Sequence, residues 1–200
     1  MTEAAGVYED DLDRGLRNVE LAVRAVQRAF DEIGRCNDLL DQAQVTGTEV
    51  TLELEALLGQ RDRTAVPAVL DRLDVLAAEV ARSEADRAVV SRILDGEADD
   101  LGDDLDDWSV PPLAEHDLPR VPTVHDLENP RDVTLEDLWE RDRALAAERQ
   151  RVGQERIRIT AEHLRTVVGR AVESFGTPDA TAELLSEARH AYTLWASCVR

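Results

Sequence analysis

The chain has 200 residues, 43% hydrophobic but only 4% aromatic, so its core must come from Leu, Val, Ala and Ile, which suits helix seams better than a β-sandwich. All 23 basic residues are arginines and 43 are acidic, a net charge of -20 that disfavours direct binding to nucleic acid or an anionic membrane. No apolar run approaches the roughly 18 residues of a membrane span. Cys36 and Cys198 are too far apart in sequence for a disulfide framework or a CxxC metal knuckle.

The acidic start, MTEAAGVYEDDLD, lacks the basic-then-apolar order of a signal peptide. These features predict a cytoplasmic protein, or one packaged in a particle assembled in the cytoplasm. The acidic, lysine-free composition points to a halophile or its virus, with a GC-rich genome that favours Arg codons as the alternative. High salt would screen the self-repulsion of such a charge.

In chain order, Leu12, Leu16, Val19, Val23, Val26, Phe30, Ile33 and Leu40 alternate steps of 4 and 3, with Asn37 in the gap. This predicts one helix face of four heptads, about 45 Å long. Asn37 then holds a core-type position, where one amide can set register or oligomer state, unless the helix frays there. Thr46-Gly-Thr-Glu49 reads as a turn and cap, followed by a short helix through Val50, Leu54, Leu57 and Leu58 that ends near Gly59. Thr64 is the candidate cap of the next helix, with Pro67 in its first turn and a second seam through Val66, Val69, Leu73, Leu76 and Val80. Residues 8–95 are therefore expected to form an antiparallel hairpin with a short helix near its tip.

Residues 96–133 break the periodicity. They hold five of the seven prolines and 12 acids against 2 Arg, half of the net charge of the chain. Leu101, Leu105 and Trp108, at i, i+4 and i+7, stand among Asp103, Asp104, Asp106 and Asp107. They form either a docking face for a protein partner, or a solvated linker whose Trp108 tucks against its own bundle. His116-Asp117-Leu118 and His125-Asp126-Leu127 are a small duplication, expected to form Asx or helix-cap turns rather than docking motifs.

Residues 134–200 predict a second hairpin. Thr134 and Asp137 are a capping-box-like start, Gly176 a stop, and Thr177-Pro178-Asp179 the start of a last helix. Along the first of these helices Leu138, Leu145, Val152 and Ile159 recur every seven residues, interrupted by Asp142, Arg149 and Arg156, a half-solvated pattern. A full seam follows through Ile157, Ala161, Leu164, Val168, Ala171 and Phe175, and Leu185, Ala188, Tyr192, Trp195 and Val199 line the last helix. Residues 141–170 carry 8 Arg against 4 acids. Arg149 and Arg156 form one stripe and Arg151, Arg158 and Arg165 another, both flanking the seam. From there they are expected to clasp the acidic middle of the same chain.

The fold expected is all-α: two long helical hairpins, coiled-coil-like or packed as a four-helix bundle, joined by an acidic, Pro-rich irregular segment. No phosphate loop, HExxH or GxSxG is present, so no catalytic residue and no cofactor are expected. Glu187 and His190 supply only half of a di-metal helical motif. The leading functional expectation is a non-enzymatic structural or protein–protein interaction protein, an adaptor, scaffold or particle component. Its partners would be proteins or further copies of itself, engaged through the helix seams. The alternatives are an acidic regulator or nucleic-acid mimic acting through residues 97–107 and, least favoured, a metal-dependent bundle enzyme.

Overall fold

A computed structural model describes residues 3–95, 108–126 and 134–199, with side chains in the first stretch from Arg14 to Arg92. Four helices order the chain: α1 (Glu3–Gln60), α2 (Val66–Asp95), α3 (Leu135–Glu173) and α4 (Pro178–Cys198). There is no strand among the described residues. α1 packs on α2 and α3, and α4 packs on the same two helices. Cross-helix pairs such as Cys36 with Ser83, Glu55 with Arg165, His163 with Glu187, and Asp71 with Arg189 make every neighbouring pair antiparallel.

The core is where all four helices overlap. Val50, Leu54, Leu58, Val66, Leu70, Leu73, Leu164, Val168, Ala188 and Trp195 are buried in one cluster. All four helices supply these residues, one apolar face each, α1 through Val50, Leu54 and Leu58, as 3.6-residue periodicity requires. The helical hairpins and the bundle packing are as the periodicity predicts.

The expected break at Thr46-Gly-Thr is absent, because α1 continues to Gln60. The hydroxyls of Thr46, Thr48 and Thr51 each donate to the carbonyl four residues back, at 2.8–2.9 Å. They satisfy themselves inside the helix instead of capping a new one. Gly47 is buried against α3, where an added Cβ would lie 2.8 Å from Val172 Cγ1. It serves close helix packing, not a turn.

The α1–α2 connection also differs in detail. Arg61 takes the left-handed conformation that ends α1 (φ 59°), two residues past Gly59. Asp62 rather than Thr64 organises the start of α2: its Oδ1 accepts from the Thr64 hydroxyl at 2.6 Å and from Thr64 N–H at 3.0 Å. Those two bonds hold the Asp62 carboxyl below its ordinary range. At α3 the capping box forms between Thr134 and Asp137 as predicted. At α4 the Thr177 side chain makes no cap bond; the turn is held by the Thr181 hydroxyl, which donates to the Ser174 carbonyl at 2.7 Å, and by Gly176 (φ 105°).

The helices are unequal in length, and this leaves two arms. The register set by Glu53–Arg72 and Asn37–Arg87 brings the end of α2 level with about Arg28 of α1, so roughly 35 Å of α1 continues beyond it. At the other end Arg61 meets Gln154, so the first four turns of α3 run past the tip of the α1–α2 hairpin.

Candidate interaction surfaces

Three features outside the core can engage other groups: the Pro-rich segment lying on α3 and α4, the arginine stripes of α3, and the two arms.

Residues 108–126 lie against the bundle. Trp108 and Val110 are half-buried, pack onto the core, and share a crevice with Ala180, Leu184 and Glu187 of α4. Farther along, Arg156 donates to the Pro119 carbonyl at 3.2 Å and Arg149 Nε to the Pro122 carbonyl at 2.8 Å. Arg156 Nη2 also lies 3.4 Å from Glu115. The chemistry is complementary: an arginine carries only donors, and proline residues keep the carbonyl while lacking the N–H. Leu118 of the segment is buried, as are Leu145 and Val152 on the same α3 face as the two arginines. The half-solvated look of that face in the sequence arises because its neighbour is an extended segment rather than a helix.

The duplicated His-Asp units fold alike. Asp117 accepts from Ala114 N–H at 3.0 Å, and Asp126 accepts from Thr123 N–H at 2.6 Å, each closing a single 3₁₀ turn. Backbone and hydroxyl bonds from Thr123 hold the Asp126 carboxyl below its ordinary range.

The second stripe behaves differently. Arg151 pairs with Glu148 at 2.7 Å and Arg158 with Glu155 at 2.8 Å, both within α3. Arg165 meets Glu162 at 2.9 Å and Glu55 of α1 at 3.1 Å. Of the five clasp candidates, Arg149 and Arg156 touch the middle segment, and the other three pair elsewhere. Leu101, Leu105, Asp103, Asp104, Asp106 and Asp107 lie outside the described residues, and of that proposed docking face only Trp108 is seen.

Asn37 is exposed at the edge of α1, where its Oδ1 accepts from Arg87 of α2 at 3.3 Å. The buried face passes through Cys36 instead, whose thiol lies 3.3 Å from the Ser83 carbonyl. Glu187 does not pair with His190, which is exposed; its Oε1 lies 3.1 Å from His163 Nε2, with side-chain exposures of 20% and 12%. No three His, Cys, Asp or Glu residues among those described are grouped to hold a metal ion.

Among the described residues, the arms carry a run of exposed large apolar side chains. Leu16, Val19, Val23, Val26 and Phe30 of α1 are 43–63% exposed, and all belong to the heptad seam. Leu135, Leu138 and Trp139 at the start of α3 are 53–76% exposed. None of the helices described is long and apolar enough to cross a membrane.

The chain matches no family model, no curated protein and no solved structure.

Replacing Arg156 with Ala removes the charged donor from the Pro119 carbonyl at a site only 16% exposed. The expected result is faster amide exchange and proteolysis across residues 115–126, with global stability lowered by only about 1–2 kcal/mol. Exchange mass spectrometry of the two proteins would read it; equal exchange rates would mean the segment is held by its apolar residues alone.

Proposed function

We propose that the chain is a non-enzymatic interaction protein, a scaffold or particle component that joins protein chains through helix faces. The α1 arm carries this reading. Folded monomers rarely present a contiguous apolar stripe to water, and a stripe at strict 4-3 spacing is the pattern a helical partner covers. The exposed Leu135, Leu138 and Trp139 at the opposite end give the molecule a second apolar contact. The acidic, lysine-free surface fits a concentrated-salt environment, in which apolar association persists while long-range charge effects are screened.

The test is affinity capture from native extract at high salt, with the wild-type chain beside a V19E/V26E variant whose helix content matches by circular dichroism. Retention of a protein chain, the bait's own kind or another, by the wild type but not by the variant is the expected outcome. Equal retention by both, or retention of nothing by either, overturns the reading.

A further inference from the structure

We infer that the occupant of the α1 arm is the arm of a second copy of this chain, lying antiparallel with Val23 and Val26 next to the two-fold axis. This inference rests on the interaction reading above and specifies its partner.

One edge of the arm's seam, Val19, Val26 and Ile33, runs on into the face used for helix packing, and the other edge, Leu16, Val23 and Phe30, leads to the exposed Asn37. From Ile33 through Leu40, Ala43, Val50 and Leu54 that face is half-buried or buried by the chain's own α2, α3 and α4. From Phe30 back to Leu16 the seam keeps the same 4-3 spacing, and its side chains are 43–63% exposed with none of the described helices covering them. An average step of 3.5 residues is that of two helices wound left-handedly around each other, not of a lone helix on a flat surface.

Heptad letters set the register. Leu16, Val23 and Phe30 are at a; Val19, Val26 and Ile33 are at d. An antiparallel pair stacks a against d, so Leu16 meets Ile33 of the partner subunit, Val19 meets Phe30 of the partner subunit, and Val23 meets Val26 of the partner subunit. Each layer then occurs twice about the axis, as an isologous contact demands. The same register brings Ala22 opposite Ala29 of the partner subunit on one flank, two small residues that let the backbones approach. On the other flank Glu20 faces Gln27 of the partner subunit. Glu20 is already paired with Arg24 at 2.6 Å, so no bare charge and no like-charge pair borders the seam.

The rest of the molecule selects the antiparallel sense. α2 follows α1 out to about Arg28, so a parallel pair would drive two α2 helices and two bundles into the same space. An antiparallel pair puts the bundles at opposite ends of a shared rod. Five large apolar side chains per chain, at roughly 60–120 Å² each, give about 1,000 Å² over the pair before the flanks are added. That approaches the ~1,200 Å² at which stable interfaces begin, so the dimer should dissociate on dilution.

The experiment uses the full chain. Sedimentation equilibrium is expected to give twice the 22.2 kDa chain mass at high concentration and the single mass on dilution. V23E should remain single throughout, with unchanged helix content in the bundle. For orientation, a chain carrying V23C is mixed with one carrying V26C and oxidised, with wild-type chain as the control for Cys36 and Cys198. Cross-linking of the mixture, well above that of either variant alone, is the expected result. Efficient cross-linking of each variant with itself indicates a parallel pair, and a single mass at every concentration and salt indicates no pair. Either overturns the inference. The interaction reading survives that outcome when the capture experiment still retains a different protein through the arm, and fails with it when nothing is retained.

Discussion

Trp195→Ala is expected to lower stability by about 3–5 kcal/mol, a large part of the total for a fold of this kind. Trp195 is 0% exposed on the inner face of α4. Its ring is 6.4 Å from that of Tyr192, whose hydroxyl donates to the Arg63 carbonyl at the α1–α2 connection. Truncation would empty the largest fully buried side chain of the core and loosen the contact of α4 with the hairpin tip. Trp195→Phe should behave very differently. The indole Nε1 is buried without an acceptor among the described residues, a loss of hydration costing about 1–3 kcal/mol. Phenylalanine leaves a small void but removes that stranded donor, so the two effects nearly cancel to within about 1 kcal/mol. Urea unfolding followed by circular dichroism would compare the three proteins. A Trp195→Phe penalty as large as that of alanine would mean that the indole N–H has a partner.

Much of the architecture could be read from periodicity because periodicity is what burial acts on. The seams of α2, α3 and α4 turned inward, and the Thr134–Asp137 cap formed where its spacing predicted. The misreadings share one cause: residues with two local uses. Thr46, Gly47 and Thr48 are turn residues by composition, yet threonine can bond back to its own helix and glycine can admit a neighbouring one. Which happens depends on α3, more than a hundred residues away. Asn37 and Cys36 are adjacent, and a shift of one residue in the seam decides which is covered; the 4-3 count favoured Asn37, whereas packing on α2 took Cys36.

The arm needed both kinds of information. Its seam was the strongest pattern in the sequence, which left it open to α2 or to a further copy of the chain. The lengths of the helices, 58 residues against 30, show that α2 ends too early to cover Leu16 to Val26, while Phe30 lies beside α2 but faces away from it. The Pro-rich segment is the opposite case. Nothing in its pattern names a binding site, but the unequal fates of Arg149 and Arg151 do. These two arginines are half a helix turn apart: one reaches a proline carbonyl, the other an acid of its own helix.

Gly47 provides the sharpest discrimination between a helix-packing glycine and a turn glycine. In an open helix interior Gly→Ala gains about 1 kcal/mol, and Gly34→Ala, with nothing within 4 Å of the added carbon, should show that gain. Gly47→Ala adds the same carbon 2.8 and 3.0 Å from the two Cγ atoms of Val172, and 3.2 Å from Phe175 Cε2. Val172 is β-branched on a helix, which fixes its rotamer, and both neighbours are buried, so neither can swing into solvent. Relief requires α1 and α3 to separate, at about 1–3 kcal/mol, which exceeds the helical gain and makes the net effect destabilising. The penalty should shrink in a Val172→Ala background, where both obstructing methyls are gone and only Phe175 Cε2, 3.2 Å away, still opposes the helical preference. A double-mutant cycle by urea denaturation would therefore show a coupling of at least about 1 kcal/mol between positions 47 and 172. Independent effects at the two positions would refute the close approach of α1 to α3, and with it the continuous path of α1 through Thr46–Thr48.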